Sequence, residues 1–409
     1  MIHTIASMSN NNGTHSFSEH REVPFVDLQR QIHPLQDEFR TAIWGVCERA
    51  DFILGSETER FEQAFARWIG VDHAIGVASG LDALRLSLVA LGIKMDDEVI
   101  LPTNTFIATA LAVTAAGARP VLVDCESHSY NMDPTKLAAA VTARTRAILP
   151  VHLAGHPADM TAIMRVANRH QLAVVEDACQ AHGAATQGRQ CGAWGNAGCF
   201  SFYPGKNLGA FGDGGIVTTN DSTLAQKIRR LRHYGQQAKY DHIELGCNSR
   251  LDTLQAAVLN VKLPRLEGWN IARRKHADQY RQTLQGVGDL QLPVSCSEDA
   301  SHVYHLFMIE TEQRDALQRH LGTAGVQTGI HYPVPIHLQP AYVDLGYRRG
   351  AFPIAEMLAS RILSLPMFPE LRSEEIDYVV SSIRQFFGNR KDHKSVEGCS
   401  ETRQAVEAQ

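Results

Sequence analysis

The sequence predicts an α/β fold, a sheet wound between helices with a smaller α/β unit behind it, and three observations carry that expectation. From His73 onward, apolar runs of strand length alternate with stretches whose apolar residues recur at helical spacing. Chains that alternate in this way wind a sheet covered by helices on both faces. At 409 residues the chain exceeds what one hydrophobic core usually organises, so two units are expected. Near its middle, one apolar run ends in Glu176-Asp177 and another breaks at Pro204-Gly205, just ahead of Lys206. Ligands of open α/β sheets bind at the carboxyl ends of strands, so both runs deliver chemistry-bearing side chains to a cleft.

Residues 1–22, rich in Ser, Asn and His without periodicity, are expected to be a disordered extension. Leu28, Ile32, Leu35, Phe39, Ile43 and Val46 recur at helical spacing through 27–50, and Phe61, Phe65 and Trp68 repeat the pattern in 57–69, which predicts surface helices packed on the core. Strands are predicted at 73–78, 98–101, 120–124, 147–151, 172–176, 198–203 and 216–219, with helices at 81–91, 106–116, 134–141 and 158–170. A helix at 224–231 carries Arg229, Arg230 and Arg232 on its exposed side, the usual place for a basic run. The helical stretch 254–284, interrupted at Pro264, crosses between the units and puts the boundary near 265, dividing 23–265 from 266–389. In the second unit a strand at 303–310 and helices at 312–321 and 376–387 are expected, and the charged, aperiodic tail 390–409 is expected to be disordered.

Composition narrows the function. With 44% hydrophobic and 20% charged residues this is an ordinary globular chain, and a formal net charge of −5 argues against generic nucleic-acid binding. No apolar stretch approaches the roughly 18 residues that a membrane span needs, and residues 1–20 lack the apolar region of a signal peptide, so a cytoplasmic protein without membrane contact is expected. Eight cysteines without CxxC spacing and 19 histidines without HExxH spacing predict neither disulfides nor a metal site. No GxGxxG opens a helix after the first strand, which speaks against a dinucleotide.

The loop after the sixth strand concentrates the chemistry. Glycines at 205, 209, 212, 214 and 215 let the backbone turn sharply and approach a ligand, while Ser201 and Asn207 add neutral hydrogen-bonding groups. A lysine there becomes a nucleophile when its surroundings desolvate it, although an exposed loop lysine is the ordinary alternative. Asp177 suits a carboxylate placed against a pyridine nitrogen, and equally a helix N-cap. Together, Lys206 and Asp177 point to pyridoxal 5'-phosphate (PLP). The turn Ala78-Ser79-Gly80-Leu81 opens a helix whose free N–H groups suit a phosphate, or simply a Ser cap. Phe106 begins another helix after a strand end, where an aromatic is ordinarily core. His331 and Tyr332, in a proline-rigid segment, suit the lining of a substrate pocket or a surface connection. His152 and His182, also near strand ends, are expected to be structural.

The segments EDACQAHGA (176–184) and SFYPGKNLGAFGDGG (201–215) resemble those of the DegT/DnrJ/EryC1/StrS family of PLP-dependent sugar aminotransferases, and the resemblance runs from about 23 to 388. It implies fold type I, the aspartate aminotransferase fold, with a mostly parallel seven-stranded sheet that includes one antiparallel strand. It assigns Lys206 to covalent attachment of PLP and proton transfer, Asp177 to the pyridine nitrogen, Phe106 to stacking on the ring, Gln180 to the ring's edge and Ser201 to the phosphate. Family members carry Gly-Thr where this chain has Gly80-Leu81, so the hydroxyl contact is lost and the amide contact remains. Asn248 corresponds to an asparagine that reaches the neighbouring subunit's cofactor phosphate, which implies a homodimer with composite sites. The resemblance further implies glutamate as amino donor and a nucleotide-linked keto-deoxyhexose as acceptor. The run HYPVPIHLQPAY (331–342), with Lys239-Tyr240 and NSRLD (248–252), looks most like the branch aminating C3 of dTDP-3-keto-6-deoxyhexoses. A C4 sugar or cyclitol aminotransferase and a non-catalytic regulatory homologue stand as alternatives. Related dehydratases carry histidine in place of the lysine.

Overall fold

A computed structural model describes residues 22–294 and 300–397, with the backbone alone for 389–397. The expected extension before Glu22 and residues 398–409 of the expected tail lie outside those residues. Seven strands form one sheet: β1 (His73–Val77), β2 (Glu98–Pro102), β3 (Arg119–Val123), β4 (Thr145–Ile148), β5 (Ala173–Asp177), β6 (Ala197–Ser201) and β7 (Gly215–Thr219). Their spatial order is β1-β7-β6-β5-β4-β2-β3. Strand β7 runs antiparallel to both β1 and β6, and the other pairings are parallel. This is the fold class expected.

The strands read as continuous apolar runs because helices bury both faces. Along the first unit these are α1 (Gln36–Arg49), α2 (Ser56–Ile69), α3 (Gly80–Ala90), α4 (Ile107–Ala115), α5 (Met160–His170), α6 (Ser222–Leu231) and α7 (Thr253–Lys262). Short polar residues set several starts: Ser79 caps α3 through Asp82 N–H, Asp159 caps α5, and Asp221 caps α6. Pro264 acts as predicted, turning Leu263–Arg265 into a single 3₁₀ turn between α7 and α8 (Leu266–Leu284). Pro34 does the same at His33–Leu35 and splits the first predicted helix.

Beyond Pro264 the chain forms α8, β8 (Phe307–Glu310), α9 (Arg314–Thr323), α10 (Pro353–Arg361), β9 (Ile362–Leu365) and α11 (Ser373–Glu397). β8 and β9 pair antiparallel. Ala277, Tyr280, Phe307, Leu321, Leu363 and Ile383 lie in one apolar cluster.

Four expectations are corrected. The strand predicted at 198–203 stops at Ser201, where the chain leaves the ladder and turns toward Gly214. The strand predicted from 303 starts at Phe307, because Val303 and Leu306 N–H groups bond to Gly155 and Ala154 of the first unit instead. The last helix extends past 387 to Glu397, through charged residues of good helix propensity that were assigned to the tail. Arg232 is 7% exposed, not solvated. Its Nη1 donates to the Gly76 carbonyl at 2.6 Å and to the Glu62 carboxylate, which also receives the Gly76 N–H at 2.8 Å. A guanidinium that leaves the end of α6 for the neighbouring β1 satisfies backbone there, which the periodicity of α6 cannot reveal.

Arg232→Ala is expected to lower the unfolding free energy by about 2–4 kcal/mol, since it leaves a buried carbonyl and a mostly buried carboxylate without their shared donor. Denaturant titration of the variant checks this; a loss below about 0.5 kcal/mol would return Arg232 to the solvated face.

Candidate active site

The carboxyl ends of β5 and β6 lie side by side, and the N-termini of α3 and α4 open beside them. Glu176 and Asp177 sit at the end of β5, and strand alternation sends their side chains to opposite faces. Glu176 is fully buried and accepts from the backbone N–H groups of Gly192 (2.8 Å), Trp194 (2.7 Å) and Gly195 (2.8 Å), and from His152 Nε2 (3.1 Å). The other ring nitrogen of His152 accepts from Ala158 N–H at 3.0 Å. His152 is thereby fully committed to structure, as expected. On the other face, Asp177 Oδ2 accepts from Thr109 Oγ1 at 2.7 Å and its Oδ1 from Cys179 N–H at 3.2 Å. Thr109 in turn accepts from Thr105 Oγ1 at 2.9 Å, in the loop just before α4.

Lys206 sits in a tight loop, with its N–H bonded to Tyr203 O at 2.9 Å and Ala210 N–H bonded to Phe202 O at 2.8 Å. Its amine is held below the usual lysine pKa by burial, against the opposing influence of Cys179 and Asp177. Because burial and Asp177 push the Cys179 thiol well above its ordinary range, Cys179 is neutral and Asp177 is the effective counter-charge. Burial, helped by Lys206, also drives three histidines down: His182 to about 3, His331 to about 4 and His305 well below the ordinary value. The amine therefore faces neutral rings and one fixed carboxylate.

The phosphate end is shaped by close backbone approach. A Cβ on Gly80 would meet Ser201 Cβ at 2.7 Å and Cys179 Sγ at 2.8 Å, and one on Gly215 would meet Ser79 O at 2.3 Å. Gly80 and Leu81 occupy the first turn of α3, where N–H groups have no acceptor within the helix. Phe106 precedes α4 with its ring 53% exposed, which overturns the core alternative, and the ring lies 5.6 Å from that of Tyr332. Gln180 Nε2 donates to Tyr332 Oη at 3.1 Å, and its Oε1 accepts from Ala154 N–H at 2.6 Å. His331 is turned away from that bond, with Nδ1 2.9 Å from Ser364 Oγ and its ring stacked on Phe25.

The predicted residues thus fall into two groups. Gly80, Leu81, Phe106, Asp177, Gln180, Ser201, Lys206 and Tyr332 converge on one region, whereas Asn248 lies exposed on the far side of the α3 N-terminus, its side chain unbonded among the described residues. Its neighbours mark the place: Ser249 Oγ accepts from Ala78 N–H at 3.3 Å, and Cys247 Sγ lies 3.1 Å from Arg85 Nη2. The sequence reading missed Thr109, although its i, i+4 spacing from Thr105 beside a strand end is a readable signal, and it missed the buried Asn270 altogether. A cavity of about 400 Å³ lies elsewhere, between α2, β1 and α6, and is lined by Glu59, Glu62, Asp72, Arg229 and Arg232 among others. Among the described residues no cluster of His, Cys, Asp or Glu could hold a metal ion, and no helix is long and apolar enough to cross a membrane.

A desolvated lysine beside a strand-end aspartate, an exposed aromatic ring, and a helix N-terminus freed by a glycine cradle together fit PLP: amine for aldehyde, carboxylate for ring nitrogen, N–H groups for phosphate. In a wound sheet of this order, they define a fold type I PLP-dependent aminotransferase. The chain belongs to the DegT/DnrJ/EryC1/StrS aminotransferase family, whose profile matches residues 34–384. It is 51% identical to the erythromycin biosynthesis sensory transduction protein EryC1 of Saccharopolyspora erythraea, over 89% of this chain and 99% of that one. It is 48% identical to the dTDP-3-amino-3,4,6-trideoxy-alpha-D-glucose transaminase of Streptomyces venezuelae, over 91% of this chain and 98% of that one. The crystal structure of S. venezuelae DesV superposes with a TM-score of 0.87 at 48% identity, covering 89% of this chain and 98% of that one.

The lowered histidines predict an acid response. Between pH 6.5 and about 3 the unfolded chain takes up a proton that folded His182 refuses, so stability present above 6.5 is lost as the pH falls. Wild type is expected to lose up to about 1.4 kcal/mol per pH unit more than His182→Leu between pH 6 and 4. Urea titrations across that range check it, and parallel slopes in the two proteins would count against a neutral buried His182.

Proposed function

We propose that this chain is a PLP-dependent aminotransferase that moves an amino group from L-glutamate to C3 of a nucleotide-linked keto sugar, with a dTDP-3-keto-6-deoxyhexose the best match. The observation that carries the reading is the convergence of Lys206 and Asp177 at the carboxyl ends of adjacent strands, with the α3 N-terminus open beside them. The choice of C3 is supported by relatives named for it. Besides the S. venezuelae transaminase, a relative 46% identical is the UDP-N-acetyl-3-dehydro-alpha-D-glucosamine 3-aminotransferase of Acidithiobacillus ferrooxidans. Another, 44% identical, is the dTDP-3-amino-3,6-dideoxy-alpha-D-galactopyranose transaminase of Aneurinibacillus thermoaerophilus.

PLP, when bound, supplies an electron sink for the carbon that loses or gains the amino group. The chain's residues do the rest. Asp177, oriented by Thr109 and the Cys179 N–H, would keep the pyridine nitrogen protonated. The α3 N–H groups of Gly80 and Leu81, with Ser201, would hold the phosphate, and Phe106 would cover one face of the ring. Lys206 Nζ, neutral more often than an exposed lysine, would take the proton from the donor's α-carbon and, in the second half-reaction, deliver a proton to the sugar carbon that gains the amino group. Gln180 and Tyr332 would line the substrate side, with His331 behind them. Asn248, exposed and unbonded, is free to meet a second subunit's phosphate, which supports a homodimer with composite sites. The division into units 23–265 and 266–389 belongs to the same reading, supported by an apolar cluster that, Val23 apart, is drawn from residues 277–387.

A regulatory role is the second reading, favoured by relatives named a sensory transduction protein and, at 46% identity, a pleiotropic regulatory protein of Geobacillus stearothermophilus. The presence of both Lys206 and Asp177 favours catalysis.

Purified protein given PLP is expected to show a visible band that glutamate converts to a shorter wavelength, and Lys206→Ala is expected to lose turnover at least about 10⁴-fold without losing its oligomeric state. A band indifferent to glutamate would break the transaminase reading, and full activity in Lys206→Ala would break the site assignment. Asn248→Ala is expected to weaken PLP retention about tenfold, measured by dialysis; unchanged affinity would remove the cross-subunit role.

A further inference from the structure

The loop that carries Lys206 is held from outside along its whole length. Lys262 Nζ of α7 donates to Gly209 O at 2.7 Å, and Gln255 Oε1 accepts from Phe211 N–H at 2.8 Å. Beside Lys206 itself the anchor is Asn207, 2% exposed, which meets the fully buried Asn270 of α8. We propose that Asn207 and Asn270 are positioning residues for the reaction assigned above: their side-chain amides carry a hydrogen-bond chain from the His182 carbonyl to His305 that locks the Lys206 loop and fixes the His305 tautomer.

The chain has one consistent direction. At one end, Asn270 Nδ2 donates to His182 O at 2.8 Å, and a backbone carbonyl can only accept. Asn270 Oδ1 then accepts from Asn207 Nδ2 at 3.0 Å, and the second Asn207 hydrogen goes to Val303 O, also at 3.0 Å. Asn207 Oδ1 is left facing His305 Nδ1 at 3.3 Å, so His305 carries its proton on Nδ1 and keeps Nε2 as an acceptor. The backbone makes room for this: a Cβ on Gly183 would meet Asn270 Nδ2 at 2.6 Å, and Gly183 has a φ of +91°. Three separate segments therefore converge on the residue next to Lys206: the turn after Asp177, the helix that crosses between units, and the strand approach at 303–305. Lys206 lies within electrostatic range of His182, His305 and His331, as well as of Asp177 and Cys179. Freezing His305 as a neutral Nδ1–H ring keeps a second positive charge away from the amine.

The proposal rests on the PLP reading, and its test separates the two. The pH midpoint of the visible band of PLP-loaded protein reads the proton at the Lys206 nitrogen. Asn270→Ala and His305→Leu are expected to move it by about one pH unit. His305→Asn, which keeps a donor toward Asn207 Oδ1, should hold the midpoint within about 0.2 units of wild type. Because His305 is partly exposed, its two variants serve if Asn270→Ala does not fold. Midpoints unchanged in both Asn270→Ala and His305→Leu would overturn the proposal. Trypsin digestion of cofactor-free protein reads the loop directly: cleavage after Lys206 should be about tenfold faster in Asn270→Ala or His305→Leu, and equal rates would overturn the lock. Absence of any band in wild type would overturn the PLP reading, leaving the digestion to decide the positioning role.

Discussion

The site depends on a carboxylate that performs no chemistry. Glu176 gathers three backbone N–H groups from the turn at 192–195 and a ring N–H from His152. A buried carboxylate is tolerable only when its lone pairs are filled by such donors. Here the donors belong to the turn that feeds β6, so neutralising Glu176 also fixes β6 beside β5. That registration brings Asp177 and the end of β6, and hence Lys206, to the same edge.

The two-residue period of a strand then separates structure from function. Glu176 and Phe200 point to one face, where Phe200 packs against Phe65 and His182. Asp177 and Ser201 point to the other, toward α4 and the opening of α3. The same alternation leaves His182 enclosed by rings, with both its nitrogens unbonded among the described residues. A histidine so placed can stay folded only as the neutral ring, and it adds no charge to the neighbourhood of Lys206.

Helix α8 meets the chain around it through buried polar groups. Arg273 of α8 donates to Tyr304 O at 3.0 Å and Met367 O at 2.9 Å, one turn from Asn270. Carbonyls pointing inward at the start of β8 and after β9 need donors, and α8 supplies them from one face. Through Asn270 and Arg273, α8 is tied by buried hydrogen bonds both to the Lys206 loop and to the segments before β8 and after β9.

The sequence by itself determined the order of strands and helices in the first unit, because burial on both faces writes apolar runs and amphipathic helices write a period into the chain. It also singled out Lys206 and Asp177, since each stands at the end of such a run beside a turn signal, and family motifs pointed to Phe106, Gln180 and Ser201. Other features arose only from tertiary structure. Thr109 matters because α4 starts against Asp177, Arg232 is buried because β1 lies beside α6, and Asn270 meets Asn207 across 63 residues of chain. β9 and α10 were unread because their short apolar run gains meaning only when it pairs with β8. Local spacing records which face of an element is buried; it does not record which distant group will meet that face, and buried hydrogen bonds are made by that meeting.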